Sequence, residues 1–212
     1  MSCAIDIADI LLKNECLQLS PSSPFTYASG LKGPIYCDNR QILSLPEARL
    51  KVVKYFLEKL SESGWKYDQL AGLATAGIPH CAFIAHELNR PMIYIRGKAK
   101  GHGKQNQVEG KFTAGQSIVL VEDLINQGKS LEDAIEAAIA VGLKPVGVLS
   151  IVTYGMNKSE EILGKYKLPL ISLTNFSTIT HLALEQNLIS AEELSMLNSW
   201  QSDPVAWSGT TA

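Results

Sequence analysis

Between residues 69 and 173 short apolar runs alternate with stretches of helical spacing. Residues 69–74, 92–95, 117–121, 145–152 and 168–173 have the length and β-branched character of strands buried on both faces. The stretch from residue 46 to 60 places Val52, Val53, Phe56, Leu57 and Leu60 on one helical stripe, and Gly64 stops it. Residues 79–88 and 158–165 predict two further helices. A helix opening at Ser130 carries Leu131, Ala134, Ile135, Ala138 and Ile139 on its inner face. Residues 5–12 predict a first helix, and 178–186 and 191–200 two closing ones. Strand–helix alternation of this kind defines an α/β fold with a mostly parallel central sheet flanked by helices on both faces.

Helix starts and turns refine the outline. Ser44-Leu-Pro-Glu47, Ser130-x-x-Asp133 and Ser190-x-x-Glu193 read as N-terminal capping signals. The Pro/Ser cluster at 20–24 breaks the chain after the first helix. Residues 25–30 and 34–38 predict two extended pieces around a Gly30/Gly33 turn, a small N-terminal hood at about 20–42. Residues 203–212 read as a loose tail. The 212 residues are enough for one well-buried core and make a single domain, 1–212.

Composition removes several function classes. A net charge of −2 argues against a nucleic-acid binder, and 46% hydrophobic with 19% charged residues is ordinary for a globular protein. Cys3, Cys16, Cys37 and Cys81 are scattered, so they read as reduced thiols of a cytoplasmic protein, not as a zinc or disulfide framework. Asp6 and Asp9 interrupt the N-terminal apolar run, which suits neither a signal peptide nor a membrane span.

The chemistry gathers at residues 117–130. A buried strand ends in Glu122 and Asp123, a polar turn containing Gly128 follows, and a helix begins. Backbone N–H groups at such a turn and helix N-terminus hold phosphate. Adjacent carboxylates accept from sugar hydroxyls, or hold magnesium through water. A P-loop is excluded, because its first glycine would fall at Asp123. A second strand–turn–helix, at 74–79, offers another close backbone approach. Residues 97–110 break the apolar pattern with four glycines; from Arg96 to Lys111 five cations face only Glu109, a local +4. A long basic loop in an otherwise acidic chain is suited to close over a polyanion.

Four segments together carry a resemblance. Val119-Leu-Val-Glu-Asp-Leu-Ile-Asn-Gln-Gly-Lys-Ser130 is similar to the 5-phosphoribosyl 1-pyrophosphate signature of the orotate phosphoribosyltransferases. Tyr94-Ile-Arg-Gly-Lys-Ala-Lys-Gly-His-Gly103, continuing to Gly110, resembles their flexible catalytic loop (97–110). Phe25-Thr-Tyr-Ala-Ser-Gly-Leu-Lys-Gly-Pro-Ile-Tyr-Cys-Asp-Asn-Arg40 resembles their hood, and Ala74-Thr-Ala-Gly-Ile-Pro79 their pyrophosphate loop. The resemblance implies a type I phosphoribosyltransferase fold. It also implies transfer of the phosphoribosyl group to N1 of orotate, giving orotidine 5'-monophosphate and pyrophosphate in UMP biosynthesis.

By the same resemblance Glu122 and Asp123 meet the ribose, Asn126, Gln127, Gly128, Lys129 and Ser130 cradle the 5-phosphate, and Leu124 and Ile125 belong to the same donor-binding set. Arg96, Lys100 and His102 clamp the pyrophosphate, the last two reaching the partner's site in a homodimer. Lys100, His102 and Asp123 are the implied catalytic residues. Tyr36, Cys37, Asn126 and Tyr154 are the implied orotate contacts. Magnesium is expected to arrive with the pyrophosphate donor, without direct protein ligands. The turn departs from the family's usual hydroxyl-rich Ser/Thr-Thr-Gly-Gly-Ser at Asn126, Gln127 and Lys129, and a positive φ at Lys129 would be strained. Gly97 and Ala28 replace lysines found in some members, leaving Lys98 and Lys104 as substitutes. Two other readings stand beside this one: transfer to another nucleobase, separable by assays with hypoxanthine and uracil, and a non-catalytic sensor of nucleotide or donor, separable by binding without turnover.

Overall fold

The computed structural model describes residues 2–27, 29–97 and 107–210. Helix α1 (Cys3–Lys13) starts at Ser2, whose hydroxyl accepts from the Ile5 N–H, and buries Ile7, Ile10 and Leu11. The hood follows as two small antiparallel pairs. β1 (Leu17–Leu19) pairs with β4 (Ile35–Cys37), and β2 (Phe25–Thr26) with β3 (Lys32–Gly33). The expected hairpin of 25–30 with 34–38 is therefore corrected: β4 turns away from its neighbour to a partner before the prolines. A 3-10 helix, Asn39–Ser44, leads into α2 (Pro46–Ser63). The expected Ser44 capping box does not form, because Ser44 still belongs to the 3-10 turn; Leu45 stands at the N-cap without a side-chain bond, and Pro46 fills the first helical position. Val52, Val53, Phe56 and Leu60 are buried as the stripe requires, with Leu57 at its margin.

The centre is a sheet of β5 (Gln69–Leu73), β6 (Met92–Ile95), β7 (Val108–Glu109), β8 (Ser117–Ile125), β9 (Lys144–Thr153) and β10 (Leu170–Asn175), in the order β10-β9-β8-β5-β6-β7. Every pairing is parallel except β6 with β7. Helices α3 (Gly77–Leu88), α4 (Lys129–Ala140) and α5 (Asn157–Tyr166) make the crossovers. Successive residues of β8 enter opposite layers: Val119 and Val121 join Phe56, Leu149 and Trp200 on one face, Ile118 and Leu120 join Ile135 and Ile162 on the other. That two-sided burial is why the strands read as unbroken apolar runs. From β5 the chain goes first to β6 on one side and then to β8 on the other. This reversal opens a crevice at the carboxyl ends of β5 and β8.

Three sequence expectations change here. In α4, Lys129 opens the helix and Gly128 is its N-cap, with no side-chain capping bond, so Ser130 is not the cap. Ile139 is half exposed and Ala137 takes its place on the inner face. Helices α6 (Phe176–Glu185) and α7 (Ala191–Ser202) close the fold, and the Ser190–Glu193 capping box forms in full. The presumed loose tail is helix α8 (Pro204–Thr210): Trp207 is buried against the core, and the Ser208 hydroxyl accepts from the Lys32 N–H at 2.8 Å.

Candidate active site

β8 is longer than its apolar run. It continues through the acidic pair because β9 keeps pairing with it, Glu122 beside Ser150, Leu124 beside Val152 and Ile125 beside Thr153. β5 drops out after Gly72 pairs with Val121, so Glu122 and Asp123 project past its end. The N-terminus of α3 comes down on this edge at Gly77, where a Cβ would strike the Val121 carbonyl. Glu122 is almost fully buried; its Oε1 accepts from the Asp123 N–H at 3.0 Å. Burial first, and the adjoining Asp123 second, push its pKa well above the usual carboxylate range. Asp123 and the edge of Glu122 line an open cleft of about 340 Å³ with Cys37, Asp38, Arg40, Thr75 and Ser130.

The turn after β8 puts its left-handed residue at Gly128 (φ 82), not at Lys129, so the lysine is unstrained in the first turn of α4. Any side chain at Gly128 would also crowd α5, with Ser159 Cα 3.2 Å and Ile162 Cδ1 3.1 Å from its Cβ. The first intrahelical bond is from Glu132 N–H to the Gly128 carbonyl. The amides of 129–131 thus lie ahead of the helix's own ladder, the arrangement that binds phosphate. The Lys129 ammonium lies 2.7 Å from Asp133 and 3.9 Å from Glu132.

Three clefts meet at Ser130, which lines all of them. Besides the acidic cleft, a cavity of about 360 Å³ lies under the hood, walled by Tyr27, Lys32, Leu124, Asn126, Gly128 and Trp200. The third, about 230 Å³, runs along Ala74, Arg96, Gly97 and Lys129. Asn126 presents a buried Oδ1 that has no hydrogen-bond partner among the described residues. Gln127 lines the hood cavity, whereas the Ile125 side chain is in the core and only its backbone serves the turn.

Among the implied base contacts, Cys37 lines the acidic cleft as a neutral thiol, its pKa pushed far up by burial. Tyr36 projects from the other side of β4, 42% exposed, with its ring tilted against Phe25 at 5.7 Å between centroids. Tyr154 is 3% exposed, edge-on to Phe176 and Trp200. It supports the wall from behind and does not form part of it.

Arg96 stands at the root of the basic loop. Its N–H donates to the Gln107 carbonyl at 2.8 Å, the Gln107 carboxamide donates back to the Arg96 carbonyl at 3.0 Å, and its guanidinium lies 3.4 Å from Glu109. The β6–β7 pairing, Tyr94 with Glu109 and Ile95 with Val108, fixes the two ends of the loop. Lys100 and His102, with Lys98 and Lys104, lie outside the described residues. The sequence pointed to the 74–79 turn that supplies Thr75, but gave no role to Asp38, Arg40 and Trp200, which also line the clefts. The polar triplet Asp38-Asn39-Arg40 directly after an extended apolar piece was the available signal for the first two.

The fold and this site define a phosphoribosyltransferase: residues 39–186 match the phosphoribosyl transferase domain family. The chain is 42% identical over 207 residues to an orotate phosphoribosyltransferase of Listeria innocua, covering 98% of this chain and 99% of the relative. It is 46% identical over 198 residues to that of Bacillus subtilis, covering 93% and 92%. The crystal structure of orotate phosphoribosyltransferase from Aeropyrum pernix superposes with a TM-score of 0.74 at 26% identity, covering 87% of this chain and 99% of that one. The chain belongs to the phosphoribosyltransferases, among the relatives named orotate phosphoribosyltransferase.

Proposed function

We propose that the protein transfers the phosphoribosyl group of 5-phosphoribosyl 1-pyrophosphate to N1 of orotate, releasing pyrophosphate and forming orotidine 5'-monophosphate. The observation that carries this reading is the acidic pair held past the end of β5 beside the Gly128 turn, since one sugar phosphate occupies both. The amides of the turn and of the first residues of α4 take the 5-phosphate. Asp123 accepts from the ribose hydroxyls, and buried Glu122 fixes the Asp123 backbone from behind. The hood cavity, with the unpartnered Asn126 Oδ1 and the Cys37 edge nearby, receives the pyrimidine, whose N–H groups are donors.

Breaking the ribose C1–O bond places positive charge on the sugar and negative charge on the departing pyrophosphate. Positioning and charge stabilisation therefore do most of the work. Arg96 faces the leaving group from the third cleft. Lys100 and His102 close over it from the basic loop, excluding water and supplying a proton to the leaving oxygen. We assign these two to the neighbouring subunit's site in a homodimer.

Magnesium fits as a passenger of the donor. Asp123 shares its cleft with the Thr75 and Ser130 hydroxyls, a set that would suit a hydrated ion carried in by the donor. When bound, the ion neutralises pyrophosphate charge. The free thiols and the lack of a membrane-crossing helix among the described residues support work in the cytoplasm. Loss of the orotate ultraviolet band in the presence of donor and magnesium, with no turnover of hypoxanthine or uracil, is the expected result. Donor binding without turnover of any base would replace this reading with a sensor.

A further inference from the structure

Past the Gly72–Val121 pair, β8 has no strand neighbour on the β5 side, although β9 accompanies it to Ile125. The part-buried carbonyl of Asp123 gains its hydrogen bond there from a side chain and not from a strand, since an unpaired carbonyl away from water is costly. A side chain from the hood supplies it. Asn39, fully buried at the start of the 3-10 helix, donates from Nδ2 to the Asp123 carbonyl at 3.1 Å. Its Oδ1 accepts from the Cys37 thiol at 3.5 Å. One carboxamide therefore ties the strand that carries Cys37 to the strand end that carries the acidic pair.

The surroundings hold that carboxamide in place. The preceding Asp38 is gripped by Arg40 through two bonds of 2.6 and 2.9 Å, and its N–H donates to the Cys16 carbonyl at 2.7 Å. The buried ring of His80 on α3 lies against Asn39 and Asp123. The link needs a neutral group that both donates and accepts, which leucine does not provide and which serine reaches only at shorter range.

We infer that Asn39 is a positioning residue: it sets the Asp123 backbone, and hence its carboxylate, at the ribose, and couples that setting to the base-facing edge of the hood. The inference rests on the assignment of Asp123 to the ribose hydroxyls. The acidic cleft and the hood cavity flank the same Leu124, so a rigid strut between them keeps donor and base in register for attack at C1.

The experiment is a double-mutant cycle on the full chain, with Asn39→Leu, Asp123→Asn and the pair, reading kcat and donor KM separately. Asn39→Leu is expected to lower kcat/KM for the donor ~10-fold or more. In the Asp123→Asn background the same change is expected to cost no more than ~2-fold, since both act through one carboxylate. Asn39→Ser, which keeps a small polar group, covers the case in which the leucine variant does not fold; it is expected to show an intermediate loss of kcat/KM and the same non-additivity. Equal losses in the two backgrounds would make Asn39 a packing residue and overturn the inference. A fully active Asn39→Leu beside an impaired Asp123→Asn would overturn it alone. A fully active Asp123→Asn would remove the ribose assignment and the inference together.

Discussion

The ammonium of Lys129 lies 2.7 Å from the Asp133 carboxylate, four residues on in the same helix. An i, i+4 pair on an exposed surface directs this cation along α4 and away from the turn. The phosphate is then held by backbone amides, to which the identity of side chain 129 matters little. Lys129→Ala is expected to change donor KM less than ~3-fold and Tm by less than ~2 °C. A tenfold rise in donor KM would show that the lysine swings onto the phosphate.

Gly128 is under the opposite constraint. Its φ of 82 favours glycine, and a Cβ there would sit 3.1–3.3 Å from Ser159 and Ile162 atoms, which would have to shift to admit it. Gly128→Ala combines a left-handed penalty of about 1–2 kcal/mol with displacement of α5. It is expected to destabilise the protein by ~2–3 kcal/mol in urea unfolding and to weaken donor binding, read by calorimetry. A variant with wild-type stability and unchanged affinity would contradict the account of the turn.

These two positions show what a sequence reveals. Residues 117–121 are a strand in both reading and structure because burial on two faces writes itself as an apolar run, whereas β6, expected to be buried on both faces, exposes Tyr94. The continuation of β8 through Glu122 and Asp123 left no such trace; it depends on β9 lying alongside, a partner about 28 residues away in the chain. β1 is three residues long and exists only through its pairing with β4. Ser44 matched a capping pattern that the preceding 3-10 turn overrode. The acidic pair, the Gly128 turn and the Arg96 root were legible because phosphate chemistry demands particular residue types. Asn39 and His80 were not, since their roles come from what the fold sets beside them.

Helix α8 is a case of one aromatic anchor deciding a segment's fate. Seven residues make no stable helix alone, yet Trp207 is buried and Ser208 accepts from the Lys32 N–H beside the hood cavity. Trp207→Ala removes a side chain ordinarily worth ~3–5 kcal/mol, but the loss is limited to the free energy of undocking α8. The expected outcome is faster hydrogen exchange at the Lys32 amide and a higher orotate KM, with a global midpoint little changed. Unaltered exchange at Lys32 would show that the hood stands without α8.

The ring of His80 sets a limit on acid stability. It is fully buried on α3, and burial lowers its pKa from 6.5 to about 4 although Asp123 and the Asn39 backbone both favour the charged form. Neither ring nitrogen makes a well-formed hydrogen bond, which is why burial prevails. Between these two pKa values the unfolded chain binds a proton that the folded chain refuses. Stability is therefore complete above about pH 6.5 and falls on acidification towards pH 4, by up to ~3 kcal/mol from this group. Glu122 acts in the opposite sense: its raised pKa makes the folded state the better proton binder above the ordinary glutamate range, so part of the acid loss is offset. The two separate by mutation. Urea midpoints at about pH 7 and pH 5 should converge in His80→Leu relative to wild type, because the leucine removes the proton that unfolding takes up. If the wild-type and His80→Leu midpoints shift in parallel over that interval, the histidine titrates on the folded protein as freely as in the unfolded chain, and the buried neutral ring is ruled out.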